Sequence, residues 1–228
     1  MKNFRNSVSK VGKLYIIDGV DGCGKSTQTK LLVDKFKKDG KNVVKIKFPN
    51  YDSPSSTLVK MYLAGELGCT ANDVNSYAAS SFYAVDRYAS YVKEWKEAYE
   101  SGAVIISDRY VSSNIIHQGA KLPEEEALEY FKWLYDFEYE KLKIPKPDGV
   151  FFLDVSPFIS NKQVERRYKG DESKKDIHEK DFEYLVQCHK TGLFACEHGF
   201  MTRVDCMDGD KILTPEKINE KILGLINL

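Results

Sequence analysis

The chain has no surplus of charge, no long apolar run and no paired cysteines. Its 34 Lys and Arg residues balance 34 Asp and Glu over 228 residues. General affinity for polyanions rests on a surplus of Lys and Arg, so no nucleic-acid partner is expected and only a local basic pocket stays open. Apolar runs such as 149–153 and 103–106 fall far short of the ~20 residues that a membrane span needs, so no membrane partner is expected either. The N-terminal stretch MKNFRNSVSKVGK lacks the apolar segment of a secretory signal, and residues 1–12 read as a polar arm ahead of the fold. The five cysteines (Cys23, Cys69, Cys188, Cys196, Cys206) are odd in number and scattered, with no CxxC. That excludes a zinc cluster, argues against a disulfide framework and makes a reducing cytoplasm the expected compartment. There is no repeat, no low-complexity tract and no linker rich in Pro and Ser, so residues 13–228 read as one domain.

What is present is an alternation of short apolar runs with longer amphipathic ones. Leu14–Ile17 is a compact apolar run followed by a turn. Residues 25–39 set Leu31, Leu32 and Phe36 on one helical face, with Gly40 at the C′ position. In Asn42–Phe48, Val44, Ile46 and Phe48 face one way and Lys45 and Lys47 the other, as in a strand. A short helix over 55–64 is stopped by Gly65. Asp73 is a candidate cap for a helix running to Glu100. AVIIS at 103–107 and Val150–Leu153 read as buried strands, and Thr202–Cys206 as the last strand. Pro123 and Glu124, Glu125 and Glu126 open a helix that runs to about Lys143. Pro157 opens another, fraying into the charged stretch 165–181. Residues 182–198 read as helix, and Thr214-Pro215-Glu216 opens the last one. Strands alternating with helices predict an α/β fold in three layers: a five-stranded parallel sheet with helices on both faces.

The strongest motif is Gly19-Val20-Asp21-Gly22-Cys23-Gly24-Lys25-Ser26-Thr27, which satisfies G-x-x-x-x-G-K-[ST] between a strand and a helix. It makes the predicted architecture a P-loop NTPase fold. Glycines let successive N–H groups converge on one anion, and the helix N-terminus adds about half a positive charge. Lys25 is suited to the β/γ-phosphates of ATP, and the Ser26 hydroxyl to Mg²⁺. Cys23 is open to two readings: a thiol acidified by the helix N-terminus, or a small residue where space is short. Asp108 and Arg109 follow the AVIIS strand, at the carboxyl end of the sheet where such folds bind ligands. Asp108 joins Ser26 as a candidate metal ligand, and Arg109 suits a phosphate. The NKxD motif of guanine-specific GTPases is absent; Asn161-Lys162 continues with Gln163-Val164.

Four blocks together resemble the thymidylate kinase family. They are Asp18–Gln28, Phe48-Pro49-Asn50-Tyr51, Phe82-Tyr83-Ala84-Val85-Asp86-Arg87, and Asp108–Asn114 with Gln118-Gly119-Ala120; Leu153–Pro157 extends the match. The resemblance implies phosphorylation of dTMP to dTDP by ATP with Mg²⁺, and a homodimer. It implies that Gly19–Thr27 hold ATP and that Asp21 lies by the acceptor's sugar and phosphate. It places Phe48, Pro49, Tyr51, Arg109 and Ser113 around the acceptor, with Tyr51 and Arg109 on its phosphate. Arg87, helped by Asn114, is placed at the thymine edge, and Gln118 joins the substrate-binding set. An aromatic residue one turn before Arg87 is implied to stack on the base: Tyr83 at i−4 suits helical spacing, and Phe82 at i−5 is the alternative. His117 stands where some members carry a tyrosine near the sugar.

In one class of the family the transfer-stabilising arginine sits in the P-loop. Here that place is Gly22, so the role falls to a charged, glycine-broken segment, a mobile lid over about 165–180 in which Arg166 and Arg167 are the candidates. The acceptor oxygen is already ionised near pH 7, so no strong general base is assigned; Lys25, Arg109 and Asp21 complete the catalytic set. Two other readings stay open. One is a kinase of another nucleotide or of a deoxynucleoside, which would need a carboxylate base such as Asp18 or Asp86. The other is a nucleotide-binding module without activity.

Overall fold

A computed structural model describes residues 11–169, 171, 176–179 and 181–226. The arm up to residue 10, and Gly170 and 172–175 of the expected lid, lie outside the described residues.

Five strands form one parallel sheet: β1 (Lys13–Asp18), β2 (Val43–Lys47), β3 (Val104–Asp108), β4 (Gly149–Asp154) and β5 (Thr202–Asp205), in the order β2-β3-β1-β4-β5. β1 lies between β3 and β4, so the strand order reverses at its carboxyl end and opens a crevice there. β3 is buried throughout, as its unbroken apolar run predicts. Strand alternation sends Phe152 to the side of α8 (Phe182–Glu197), where a Cβ on Gly192 would stand 2.3 Å from its ring, while Phe151 stacks beside Tyr15.

The helix α1 (Lys25–Lys38) leaves the P-loop and buries Leu32, Val33 and Phe36; Leu31, expected in that stripe, is only half-buried. α1 packs beside α9 (Pro215–Leu225), capped by Thr214. On β2 the chain turns through a 3₁₀ turn (Pro54–Ser56) into α2 (Thr57–Leu63), and Gly65 ends it at φ +81°.

The long helix expected from residue 74 to 100 is broken. α3 (Ser76–Ser90) is capped by the Asn75 side chain and not by Asp73, whose carboxylate instead accepts from Thr70 in its own turn. A π-helical turn (Tyr91–Trp95) then separates it from α4 (Lys96–Glu100). The wider turn brings Trp95 inward among Tyr91, Tyr99 and Tyr110. α5 (Val111–Gly119) starts two residues after Arg109, and α6 (Glu124–Tyr135) again passes into a π-helical stretch (Asp136–Lys141). α7 (Pro157–Tyr168) ends at Lys169, which takes a left-handed conformation at φ +53°. A two-stranded antiparallel hairpin, β6 (Met207–Asp208) with β7 (Lys211–Ile212), was not part of the expected alternation; two-residue strands leave no periodicity to read.

Candidate active site

Two cavities open at the carboxyl end of the sheet. The first, of about 750 Å³, runs along the P-loop past Lys25, Ser26, Thr27 and Asp108 to Ile212, Pro215 and Ile218. The second, of about 260 Å³, lies between α3, α5 and the loop after β2. Asp21, Lys47, Arg109 and Arg167 line both.

The P-loop owes its shape to its glycines. Gly22 sits at φ +84°, and a Cβ there would stand 2.1 Å from the Ser160 carbonyl oxygen on α7. No arginine fits at this position, which accounts for the glycine and leaves the cationic role to other elements. Gly24 caps α1 in a left-handed conformation. Gly19 and Val20 do not line the cavity; their carbonyls accept hydrogen bonds from Lys25 Nζ at 3.1 and 2.8 Å. Cys23 is buried, and burial pushes its thiol up rather than down, so space and not acidity explains it. Ser26 Oγ donates to Asp108 Oδ2 at 2.6 Å, bringing two hard oxygens together at the foot of the loop. That donor set fits Mg²⁺, which is held by one or two protein oxygens together with substrate phosphates.

Arg109 occupies the junction. Its own backbone is left-handed, at φ +72°, a conformation that costs a non-glycine residue about 1–2 kcal/mol. The surroundings hold it there: the guanidinium pairs with Asp21 and donates to Ser113 Oγ at 3.2 Å and His117 Nε2 at 3.1 Å. Burial works to raise the Asp21 carboxyl, but the Arg109 and Lys25 cations together hold it well below the usual carboxylate range.

At the far end of the smaller cavity, Arg87 and Tyr83 come from α3, and Asn114 and Gln118 from α5. Arg87 is paired with Glu138, a buried carboxylate that local sequence did not single out. The Gln118 Oε1 atom is buried and has no hydrogen-bond partner among the described residues. Phe48, Pro49 and half-exposed Tyr51 line the near wall with Ser113.

Two expected residues are not there. Phe82 packs on Tyr62 in a separate apolar cluster and does not line the cavity, because i−5 turns it past the face that carries Arg87. Both arginines are exposed, but Arg166 lines neither cavity, whereas Arg167, one residue around the helix, lines both. Local reading also passed over Lys47, at the carboxyl end of β2, and the group Asp176, His178 and Glu179. Lys47 was legible as the residue before Phe48-Pro49; the other three fall within the expected lid segment, where only the arginines were singled out. Burial and the nearby Asp21 push the Asp176 carboxyl up to about 7. The carboxylates offered as bases are both engaged: Asp18 accepts from Ser112, Ser113 and the Gly19 amide, and Asp86 from the Asn50 amide and Ser55.

Known proteins resemble this chain in sequence and in architecture. A family model described as thymidylate kinase matches residues 17–207. The thymidylate kinase of Mycobacterium tuberculosis is 34% identical over 172 residues, covering 75% of this chain and 79% of that protein. The thymidylate kinase of Plasmodium falciparum is 28% identical over 173 residues, covering 75% and 76%. In architecture, a solved thymidylate kinase from Candida albicans superposes with a TM-score of 0.67 at 22% identity, over 94% of this chain and 91% of its own. The family model over residues 17–207 and the 34% identity over 172 residues place this chain in the thymidylate kinase family.

Proposed function

We infer that the protein transfers the γ-phosphoryl group of ATP to dTMP, giving dTDP. The observation that carries this reading is the meeting of two nucleotide-sized cavities at Asp21, Arg109 and Arg167. Two anions brought tail to tail must be screened by cations, and positioning with charge stabilisation is most of what phosphoryl transfer asks of a protein.

Lys25 and the loop amides hold the donor phosphates. Arg109, with Tyr51, holds the acceptor phosphate, and Asp21 keeps the guanidinium in place. Arg167, and Lys47 at the end of β2, add positive charge where the phosphoryl group passes. Mg²⁺ held by Ser26 and Asp108 with the ATP phosphates would neutralise charge developing on the transferred group. At the base end, the unpartnered Gln118 Oε1 is an acceptor suited to an imide N–H such as thymine N3, and Arg87 is a donor suited to a carbonyl edge. A site built around those hydrogen bonds rejects bases that lack them. Tyr83 supplies the ring at the base. Asp18 and Asp86, the carboxylates that a nucleoside kinase would offer as bases, are both engaged by their neighbours, which supports a monophosphate acceptor.

The two cavities share one sheet, which supports a single catalytic domain over residues 13–228. Val85, Tyr88 and Val92 form an exposed stripe along α3 and the turn after it, a face suited to pairing with a second copy in a homodimer. No helix among the described residues is long and apolar enough to cross a membrane; we place the enzyme in the cytoplasm, where its thiols stay reduced.

The test is ADP release with Mg-ATP against dTMP, dUMP, dCMP, dGMP, UMP and thymidine. Preferred turnover of dTMP is expected. Preference for thymidine would point to a nucleoside kinase, and no turnover with any acceptor to a binding module.

A further inference from the structure

The third partner of Arg109 has no role in the reading above. His117 lies on α5 one turn beyond Ser113, so the two side chains share the helix face that meets the guanidinium. A guanidinium N–H only donates, so His117 Nε2 must present its lone pair and the ring proton must sit on Nδ1. Nδ1 faces Cys188 Sγ at 3.5 Å. Tyr184 donates to the His117 carbonyl from the same helix, α8. On its other face the imidazole stacks on His178, with centroids 5.7 Å apart and planes 10° from parallel. His178 is in turn held by Tyr62 at 2.9 Å. The ring is therefore fixed in position and tautomer by elements on three sides. Burial and the neighbouring Arg109 cation both keep it neutral, which is the state that accepts.

We propose that His117 is a positioning residue for acceptor phosphate binding: its Nε2 fixes the plane of the Arg109 guanidinium that receives the phosphate. The proposal rests on the assignment of the smaller cavity to dTMP and adds to it the residue that orients the phosphate grip. A buried histidine that only fills space would affect every ligand of the cavity alike. One that acts through Arg109 affects only ligands carrying a phosphate.

The experiment compares dTMP and thymidine binding, by calorimetry, to wild type and to His117→Phe, His117→Asn and His117→Gln. Phe keeps a ring against His178 but has no acceptor, and the Asn oxygen stops near the Nδ1 position. Both are expected to weaken dTMP by about tenfold or more, with thymidine unchanged to within about twofold. Gln reaches the Nε2 position with an oxygen and is expected to restore dTMP binding. In an Arg109→Ala background, His117→Phe should cost dTMP nothing further. Equal losses for dTMP and thymidine, no loss in either Phe or Asn, or an undiminished cost without Arg109 would overturn the proposal. Wild-type turnover of dTMP is measured alongside; its absence defeats the functional reading, whereas turnover with indifferent variants defeats only the role of His117.

Discussion

The Arg87 guanidinium lies bidentate on Glu138, with Nε donating to Oε2 at 2.7 Å and a terminal nitrogen donating to Oε1 at 2.5 Å. Both side chains are within 1% of full burial. The pair joins α3 to the π-helical stretch after α6, and a further N–H of Arg87 reaches the Tyr110 carbonyl at 3.3 Å. Burial pushes the Glu138 carboxyl up, opposed by the Arg87 charge and its hydrogen bonds. An arginine at the far end of the smaller cavity thus depends for its orientation on a carboxylate 51 residues away.

Removing one member of such a pair leaves an uncompensated buried charge. Glu138→Ala is expected to destabilise the fold by about 3–5 kcal/mol. Urea titration checks this, with a lower midpoint at unchanged slope. A midpoint equal to wild type would show that Arg87 is not dependent on Glu138.

Arg109→Ala should cripple acceptor use, with kcat/KM for dTMP down at least about a hundredfold. ATP binding should stay near normal, because Lys25 and the loop hold the donor. Steady-state kinetics with a nucleotide-binding titration separate the two. Equal loss of both would contradict the place given to Arg109.

The two neighbouring arginines of α7 should differ. Arg167 lines both cavities, lying 3.7 Å from Glu179, while Arg166 lines neither. Arg167→Ala is expected to lower kcat by about a hundredfold, and Arg166→Ala to leave kcat within about twofold. Comparable kcat losses would return Arg166 to the site.

Asp176 carries the pH signature. Its carboxyl is pushed up to about 7 by burial and by Asp21, so the folded protein holds a proton that the unfolded chain loses near pH 4. Between those values the native state binds more protons, and this group's contribution to stability falls as pH rises through 7. Asp176→Asn keeps an oxygen for the His178 and Glu179 amides and removes the charge. Thermal melts should show the stability of the variant relative to wild type rising from pH 5 to pH 8. A gap of the same size at both pH values would exclude titration of this group.

Residues adjacent in the chain carried what could be read without coordinates. A P-loop is contiguous, and its glycines, lysine and serine state the backbone turn and the anion chemistry in nine letters. The strands at 103–107 and 150–153 announced themselves by unbroken burial, and Asp108-Arg109 followed from standing at a strand's carboxyl end. Helical spacing preferred Tyr83 over Phe82, as the cavity does. Tertiary structure decided the rest, because burial and pairing between distant segments leave no local period. Glu138 sits in a π-helical stretch that looks like ordinary helix in the letters, and only the closing of α3 onto it makes it Arg87's counter-charge. Asp176 and His178 enter the cavity only because their segment folds back over α2 and α5. Between Arg166 and Arg167 the choice was one of rotation around a helix, which depends on how α7 docks against the P-loop at Gly22.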